Sequence, residues 1–216
     1  MFLSNRDLIK AMKRGELIVI PRPPPDRIGA TSIDLRLDSI DAVRIWNRDA
    51  FAQAREETGD PRMELRIGKF DFRKMSRKYL MPPTRDRSQS VFVRDDEVIV
   101  KPYGFVLWQT KEVVGTHRKA RLICFIEGKS TKARTGILVH LTAPTIHAGW
   151  SGNVTLEIAN VGPFDLVLAE DDIIAQITVA RISSPPLTLA RESLTDGQTS
   201  VTGRPDAVSP TPRPSI

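Results

Sequence analysis

The stretch "GNVTLEIAN", Gly152–Asn160, decides how this chain is read. Val154, Leu156 and Ile158 point one way along an extended backbone and Asn153, Thr155 and Glu157 the other, the period of a strand with one buried face. Glu157 lies in the middle of the polar face and is the first residue that asks for a functional reason.

Further strand-like runs surround it: "SVFV", "DEVIVKP", "GFVLWQT", "RLICFI", "GILVHL", "FDLVLA" and "DIIAQITVARI". Many short strands separated by Gly, Pro and charged turns predict an antiparallel sandwich or barrel, not alternating βα units. Upstream, "ELIVIP" reads as a strand ended by proline, and "RPPPDRIGA" as a stiff loop excluded from a sheet interior. "TSIDLRLD" is another half-buried strand, with Ile33, Leu35 and Leu37 on one side. Ser4 and Asp7 are spaced as a capping box; Leu8, Ile9 and Met12 form an apolar stripe and Gly15 supplies a stop, so a short N-terminal helix is predicted.

Residues 47–90 are the least legible. "RDAFAQAREE" suits a helix, and a basic segment with interleaved Phe70, Phe72 and Tyr79 follows. Such a composition can bind single-stranded nucleic acid, but an exposed, solvated insertion of uncertain structure is the plainer reading, and a nucleic-acid partner is not expected. From Ser183 onward the chain is rich in Pro, Ser, Thr and Gly and reads as a flexible arm. The expected organisation is one β domain over residues 1–182 and an arm over 183–216.

The 40% hydrophobic content of the 216 residues suits a single sizeable core. A net charge of +6 favours anionic partners without naming one. No run of about eighteen apolar residues occurs, and "MFLSNRDLIKAMKRG" lacks the apolar centre of a signal peptide, so a cytoplasmic protein without membrane contact is expected. The single cysteine, Cys124, sits in an apolar run and is expected to be a buried structural thiol.

Several familiar chemistries fail on spacing. "GKST" at Gly128–Thr131 resembles the end of a phosphate-binding P-loop, but Ile123 stands where that motif needs glycine. His117, His140, His147 and Cys124 do not form a Cys/His zinc pattern, nor is the H-x-E with P-C-x-x-C signature of zinc deaminases present, so no protein-bound metal is expected. "GWSGN" lacks G-x-S-x-G spacing, which leaves Ser151 as a turn serine. Lys129, Ser130, Thr131, Lys132 and Arg134, by contrast, gather cations and hydroxyls after a glycine, as a polyphosphate requires, although a solvated basic loop has the same composition.

"GKSTKARTGILVHLTAPTIHAGWSGNVTLEIANVG" resembles the deoxycytidine triphosphate deaminase family, whose core reads roughly G-R-S-S-L-A-R-L-G-L, a histidine strand, I-D-P-G-[FW]-x-G, and a strand ending L-E-[LF]-x-N. "RPPPDRIGATSIDLRL" is similar to that family's N-terminal segment and "LVLAEDDIIAQI" to its closing strands; residues 47–90 find no counterpart by eye. The resemblance implies a mainly β fold, a distorted antiparallel barrel of the jelly-roll-like kind shared with trimeric deoxyuridine triphosphatases, with a short N-terminal helix. It also implies active sites between subunits of a homotrimer, dCTP carried with Mg²⁺, and removal of the cytosine amino group without zinc.

By the same resemblance Glu157 falls on the catalytic glutamate, Ser130 and Arg134 on the water- and substrate-positioning pair, and Lys129 on a phosphate-binding arginine. Thr131, Lys132 and Ala133 complete that substrate loop, Thr155 and Leu156 take base-contacting positions, and Gln198 resembles the glutamine of a nucleotide-covering tail. Without a metal, water must be activated by a positioned side chain, and a carboxylate is a suitable base. Some positions depart from the pattern. His147 replaces the aspartate that contacts the sugar hydroxyl, and in the related triphosphatases helps orient the water attacking the α-phosphate. Lys129 keeps the charge of arginine but loses its planar fork. The tail lacks the family's Tyr and Lys, for which Arg191 and Arg204 are candidate substitutes. Deamination of dCTP to dUTP and ammonia is therefore the leading expectation. The alternatives are a non-catalytic nucleotide-binding regulator or nucleic-acid-binding member of the fold, and less favourably a dUTP pyrophosphatase.

Overall fold

Alternating branched apolar residues make extended chain, and the extended chain pairs almost throughout. The computed structural model describes residues 1–59, 63–186 and 197–203. In chain order these hold α1 (Asn5–Lys13), β1 (Leu17–Ile20), β2 (Ser32–Arg36), β3 (Ile45–Trp46), α2 (Arg48–Glu57), α3 (Phe72–Tyr79), β4 (Leu80–Met81), β5 (Val91–Arg94) and β6 (Glu97–Val100). Then follow β7 (Phe105–Thr116), β8 (Leu122–Gly128), α4 (Ser130–Ala133), β9 (Ile137–Leu138), β10 (Thr145–Ile146), β11 (Ser151–Asn160), β12 (Leu166–Leu168) and β13 (Ile173–Arg181). Arg191 and Arg204 lie outside the described residues.

The expected mainly β, antiparallel class holds. One sheet runs β1-β7-β11-β9, another β10-β8-β13-β2, a third β12-β6-β5, and β3 pairs with β4. Among the described residues each sheet ends in edge strands, so the set does not close into a barrel. The inward faces of the two four-stranded sheets feed one core, with Trp108, Leu156 and Ile158 from the first and Ile33, Leu35, Cys124 and Ile177 from the second. Cys124 is the buried thiol expected, and burial pushes its pKa up to about 12.

The N-terminal helix starts and stops where the sequence placed it, with Gly15 leaving it at φ +67°. Its capping box does not form: the Ser4 hydroxyl donates to the Asp7 carboxylate at 3.3 Å and caps no backbone N–H. In β11 the alternation holds at Leu156 and Ile158 and fails at its start. The register against β7 shifts between Asn153 and Thr155, a bulge that turns Asn153 inward, where its Nδ2 donates to the Thr110 carbonyl at 2.8 Å.

"RDAFAQAREE" is α2, capped by the Asn47 side chain accepting from the Ala50 N–H at 2.9 Å. The basic segment behind it supplies α3, capped in the same way by Asp71 on the Lys74 N–H at 3.1 Å. Phe51 and Tyr79 meet edge-on at 5.3 Å between centroids and lock the two helices together. The part of residues 47–90 that looked merely solvated is a built unit.

One buried carboxylate ties the N-terminal loop to β7. Glu112 is fully buried; its Oε1 accepts from Arg27 Nη1 at 2.7 Å and from Arg36 Nε at 2.8 Å, and its Oε2 from the Arg36 backbone N–H at 2.9 Å. The Arg36 pKa is raised, first by that side-chain hydrogen bond to Glu112.

Candidate active site

Glu157 is placed by strand register. On β11 it stands opposite Leu107 of β7, and Leu107 in turn bridges Arg44, two residues before Trp46. Residues directly opposed across antiparallel strands share a face, and so do residues two apart along one strand. Glu157, Leu107 and Trp46 therefore look into the same space. That space is a cavity of about 480 Å³, within the range of roughly 300–1,000 Å³ usual for small-molecule sites.

Its walls differ in chemistry. Thr155, Glu157, His140, His147 and Gln198 supply polar groups, while Trp46, Phe70, Phe72 and Phe105 make an aromatic side. The Glu157 carboxylate is half-buried and accepts a long hydrogen bond, 3.4 Å, from the Leu141 N–H. Among the described residues it has no ion pair, so its charge is left facing the cavity. His140 holds Nδ1 buried and, among the described residues, without a hydrogen-bond partner, and its Nε2 lies 3.9 Å from Glu127. His147 is exposed at the rim.

Gln198 reaches the site because residues 197–203 lie against the start of β11. The Gly197 N–H donates to the Ser151 carbonyl at 2.7 Å and the Asn153 N–H to the Gln198 carbonyl at 2.9 Å. The Gln198 Nε2 then donates to the Asn153 carbonyl at 2.9 Å and to the Thr155 hydroxyl at 2.6 Å. Gly152 permits this approach, since a Cβ there would sit 2.9 Å from the Gln198 nitrogen.

The remaining site candidates are elsewhere on the chain. Ser130, Thr131, Lys132, Ala133 and Arg134 are exposed on and after α4, and none of them lines the Glu157 cavity. Lys129 is turned to Asp34, with Nζ 2.6 Å from Oδ1. The loop is held at its end by backbone contact: a Cβ on Gly136 would lie 2.3 Å from Gly162, and the Val161 N–H donates to the Gly136 carbonyl at 2.9 Å. Leu156 turns its side chain into the core, so only its main chain can meet a ligand. One chain thus gathers Glu157, Thr155, His147 and Gln198 and presents Lys129–Arg134 separately.

The aromatic side and His140 escaped the sequence reading. In sequence His140 shows only a lone histidine on a strand, and Phe70 and Phe72 only aromatics within a basic, solvated segment. Among the described residues no helix is long and apolar enough to cross a membrane, and no cluster of three His, Cys, Asp or Glu side chains is arranged to hold a metal ion.

The family model for dCTP deaminase-like proteins matches residues 2–182, passing through the 47–90 segment. The chain belongs to the dCTP deaminase-like family. It is 32% identical over 189 residues to the dCTP deaminase of Thermomicrobium roseum, covering 87% of this chain and 83% of that protein. To the dCTP deaminase, dUMP-forming, of Salinispora tropica it is 33% identical over 188 residues, covering 86% and 82%. Among solved structures it is similar to the 2'-deoxycytidine 5'-triphosphate deaminase of Agrobacterium tumefaciens, with a TM-score of 0.54 at 16% identity. That match covers 84% of this chain and 48% of the other, so this chain spans about half the solved chain's length; the likeness is one of fold.

Proposed function

We propose that this dCTP deaminase-like protein hydrolyses the amino group of dCTP, releasing dUTP and ammonia, with Glu157 as the base that activates water. The observation carrying this reading is the unpaired Glu157 carboxylate on the wall of a largely apolar cavity, in a chain of this family. In such surroundings a positioned carboxylate contributes about 10²–10⁴ in rate through proton transfer.

The steps balance around Glu157. As the water oxygen bonds to C4 of cytosine, the carboxylate takes the water proton and delivers it to N3. The tetrahedral adduct then passes its hydroxyl proton through Glu157 to the amino nitrogen, the C4–N bond breaks, ammonia leaves, and C4 becomes a carbonyl. Thr155, fixed by Gln198 at 2.6 Å, and the main chain at Leu156 are the groups that would orient the base. His147 takes the sugar side, where its ring can donate or accept a hydrogen bond.

The triphosphate, with Mg²⁺ entering as part of the substrate, would be met by Lys129, Ser130, Thr131, Lys132, Ala133 and Arg134 of a neighbouring copy. This requires the homotrimer implied by the sequence resemblance; what supports it here is that the loop lies outside the Glu157 cavity of its own chain. Lys129 would exchange Asp34 for phosphate.

The product is the finer question, because three of the similar relatives are named as dUMP-forming. His147 in place of the water-orienting aspartate favours a reaction that stops at dUTP. Ion-exchange analysis of products from dCTP and Mg²⁺ tests both points. Ammonia with dUTP is the expected result; ammonia with dUMP and pyrophosphate would overturn the stopping point. Binding of dCTP without ammonia would overturn the enzyme reading and leave a nucleotide-binding regulator.

A further inference from the structure

The geometry points to Trp46, Phe70 and Phe72 as a base-stacking wall that sets pyrimidine binding, contributed by the segment that runs from β3 into α3. This rests on the reading of the Glu157 cavity as the nucleotide site and adds residues to which the sequence resemblance gave no role.

The three rings form a continuous group. Trp46 and Phe72 meet edge-on with centroids 6.4 Å apart at 82°, and Phe70 and Phe72 with centroids 6.2 Å apart at 63°. All three are only half-buried, and all three line the cavity that Glu157 faces. Large rings left half-open in a monomer's interior commonly have a ligand or partner to cover them.

Their positions are set firmly. Trp46 is fixed on β3 by pairing with Leu80, and β3 is continuous with the Arg44–Leu107 bridge beside Glu157. Phe70 and Phe72 flank Asp71, whose side chain caps α3, so the cap that starts the helix also aims both rings. The helix is held in turn by the Phe51–Tyr79 contact. A flat heterocycle with one polar edge fits between such a wall and the Thr155–Glu157 strand: its face and its C5–C6 edge are apolar, while C4 and N3 must be presented to the carboxylate.

The experiment is dCTP binding by calorimetry in a Glu157→Gln background, with and without the pair Phe70→Ala and Phe72→Ala, beside competition by inorganic tripolyphosphate. Phe72→Leu is run as a variant that preserves apolar bulk. Stacking of one base on an aromatic side chain corresponds to a loss of about 5- to 150-fold in affinity on truncation. The expected result is a rise of that size in the dCTP Kd for the alanine pair, a smaller rise for Phe72→Leu, and a tripolyphosphate constant within about twofold of the parent. A dCTP Kd unchanged within twofold overturns the wall and leaves the deaminase reading standing if the wild-type enzyme still releases ammonia. Equal loss for dCTP and tripolyphosphate overturns it too, since the rings would then support only the fold. Wall-dependent dCTP binding in a wild-type protein that releases no ammonia upholds the wall and refutes the deaminase. A protein that binds no dCTP refutes both.

Discussion

Replacing Glu112 by glutamine is a one-atom change whose cost follows from the hydrogen bonds around it. The carboxylate is fully buried and receives three donors: Arg27 Nη1 and Arg36 Nε on one oxygen, the Arg36 N–H on the other. Glutamine offers a single acceptor oxygen. Whichever way the amide turns, its NH₂ faces a donor and at least one N–H is orphaned, while the part-buried Arg27 guanidinium loses its counter-charge and Arg36 is left with Asp171 alone. An orphaned buried donor costs about 1–3 kcal/mol, and breaking a buried ion pair about 3–5 kcal/mol. A loss near 3 kcal/mol is expected, which at roughly 2–4 °C per kcal/mol for a chain of this size lowers Tm by about 6–12 °C. Thermal and urea unfolding by circular dichroism measure it, with Glu157→Gln as the internal contrast. Glu157 is half-buried with one long contact, so its variant should unfold within about 2 °C of the parent. An equally small shift for Glu112→Gln would refute the argument, because the ion cluster would then contribute nothing.

Other consequences are equally direct. Gln198→Ala removes one buried and one part-buried hydrogen bond at the cavity, each worth about 1 kcal/mol; KM for dCTP should rise about 5- to 30-fold with kcat changed less than threefold, and steady-state kinetics with the reverse split would count against a positioning role. If each site is shared between copies, Glu157→Gln and Arg134→Ala proteins, each nearly inactive alone, should recover activity when co-expressed, because some sites then carry both native residues; absence of recovery in a mixed oligomer would refute the shared site. The Asp171 carboxyl is held below its ordinary range, first by the hydrogen bond from Lys111, with Arg36 adding to it. A depressed folded pKa gives stability that is full above the unfolded value, about 3.9, and is lost as pH falls through the folded one. The urea midpoint of Asp171→Asn should therefore match wild type more closely at pH 3 than at pH 7; since Asp171 is half-exposed the difference will be modest, and a gap that widens on acidification would contradict it.

What was legible in the sequence follows from what a local pattern can carry. β2, β8, β11 and β13 alternate over several residues and were visible as strands. β3, β4 and β10 are two residues long and have no period to read; they exist because neighbouring chain offers them partners. Glu157 stood out because a carboxylate interrupted a regular polar face within a recognisable block. The inward turn of Asn153 was not visible, since a bulge is defined by the partner strand. Glu112, in "TKEVVG", carries no local sign of burial, which depends on Arg27 and Arg36, distant in sequence. Phe70 and Phe72 were obscured by the Lys and Arg residues around them, and only β3 pairing with β4 brings Trp46 to their side.

Ammonia release from dCTP by the Glu157→Gln variant, measured beside its dCTP affinity, tests the central claim most directly. Removing the base while keeping its shape should lower kcat by about 10²–10⁴ and leave the Kd for dCTP within about threefold. A variant that deaminates dCTP at near the parental rate would show that another group activates the water.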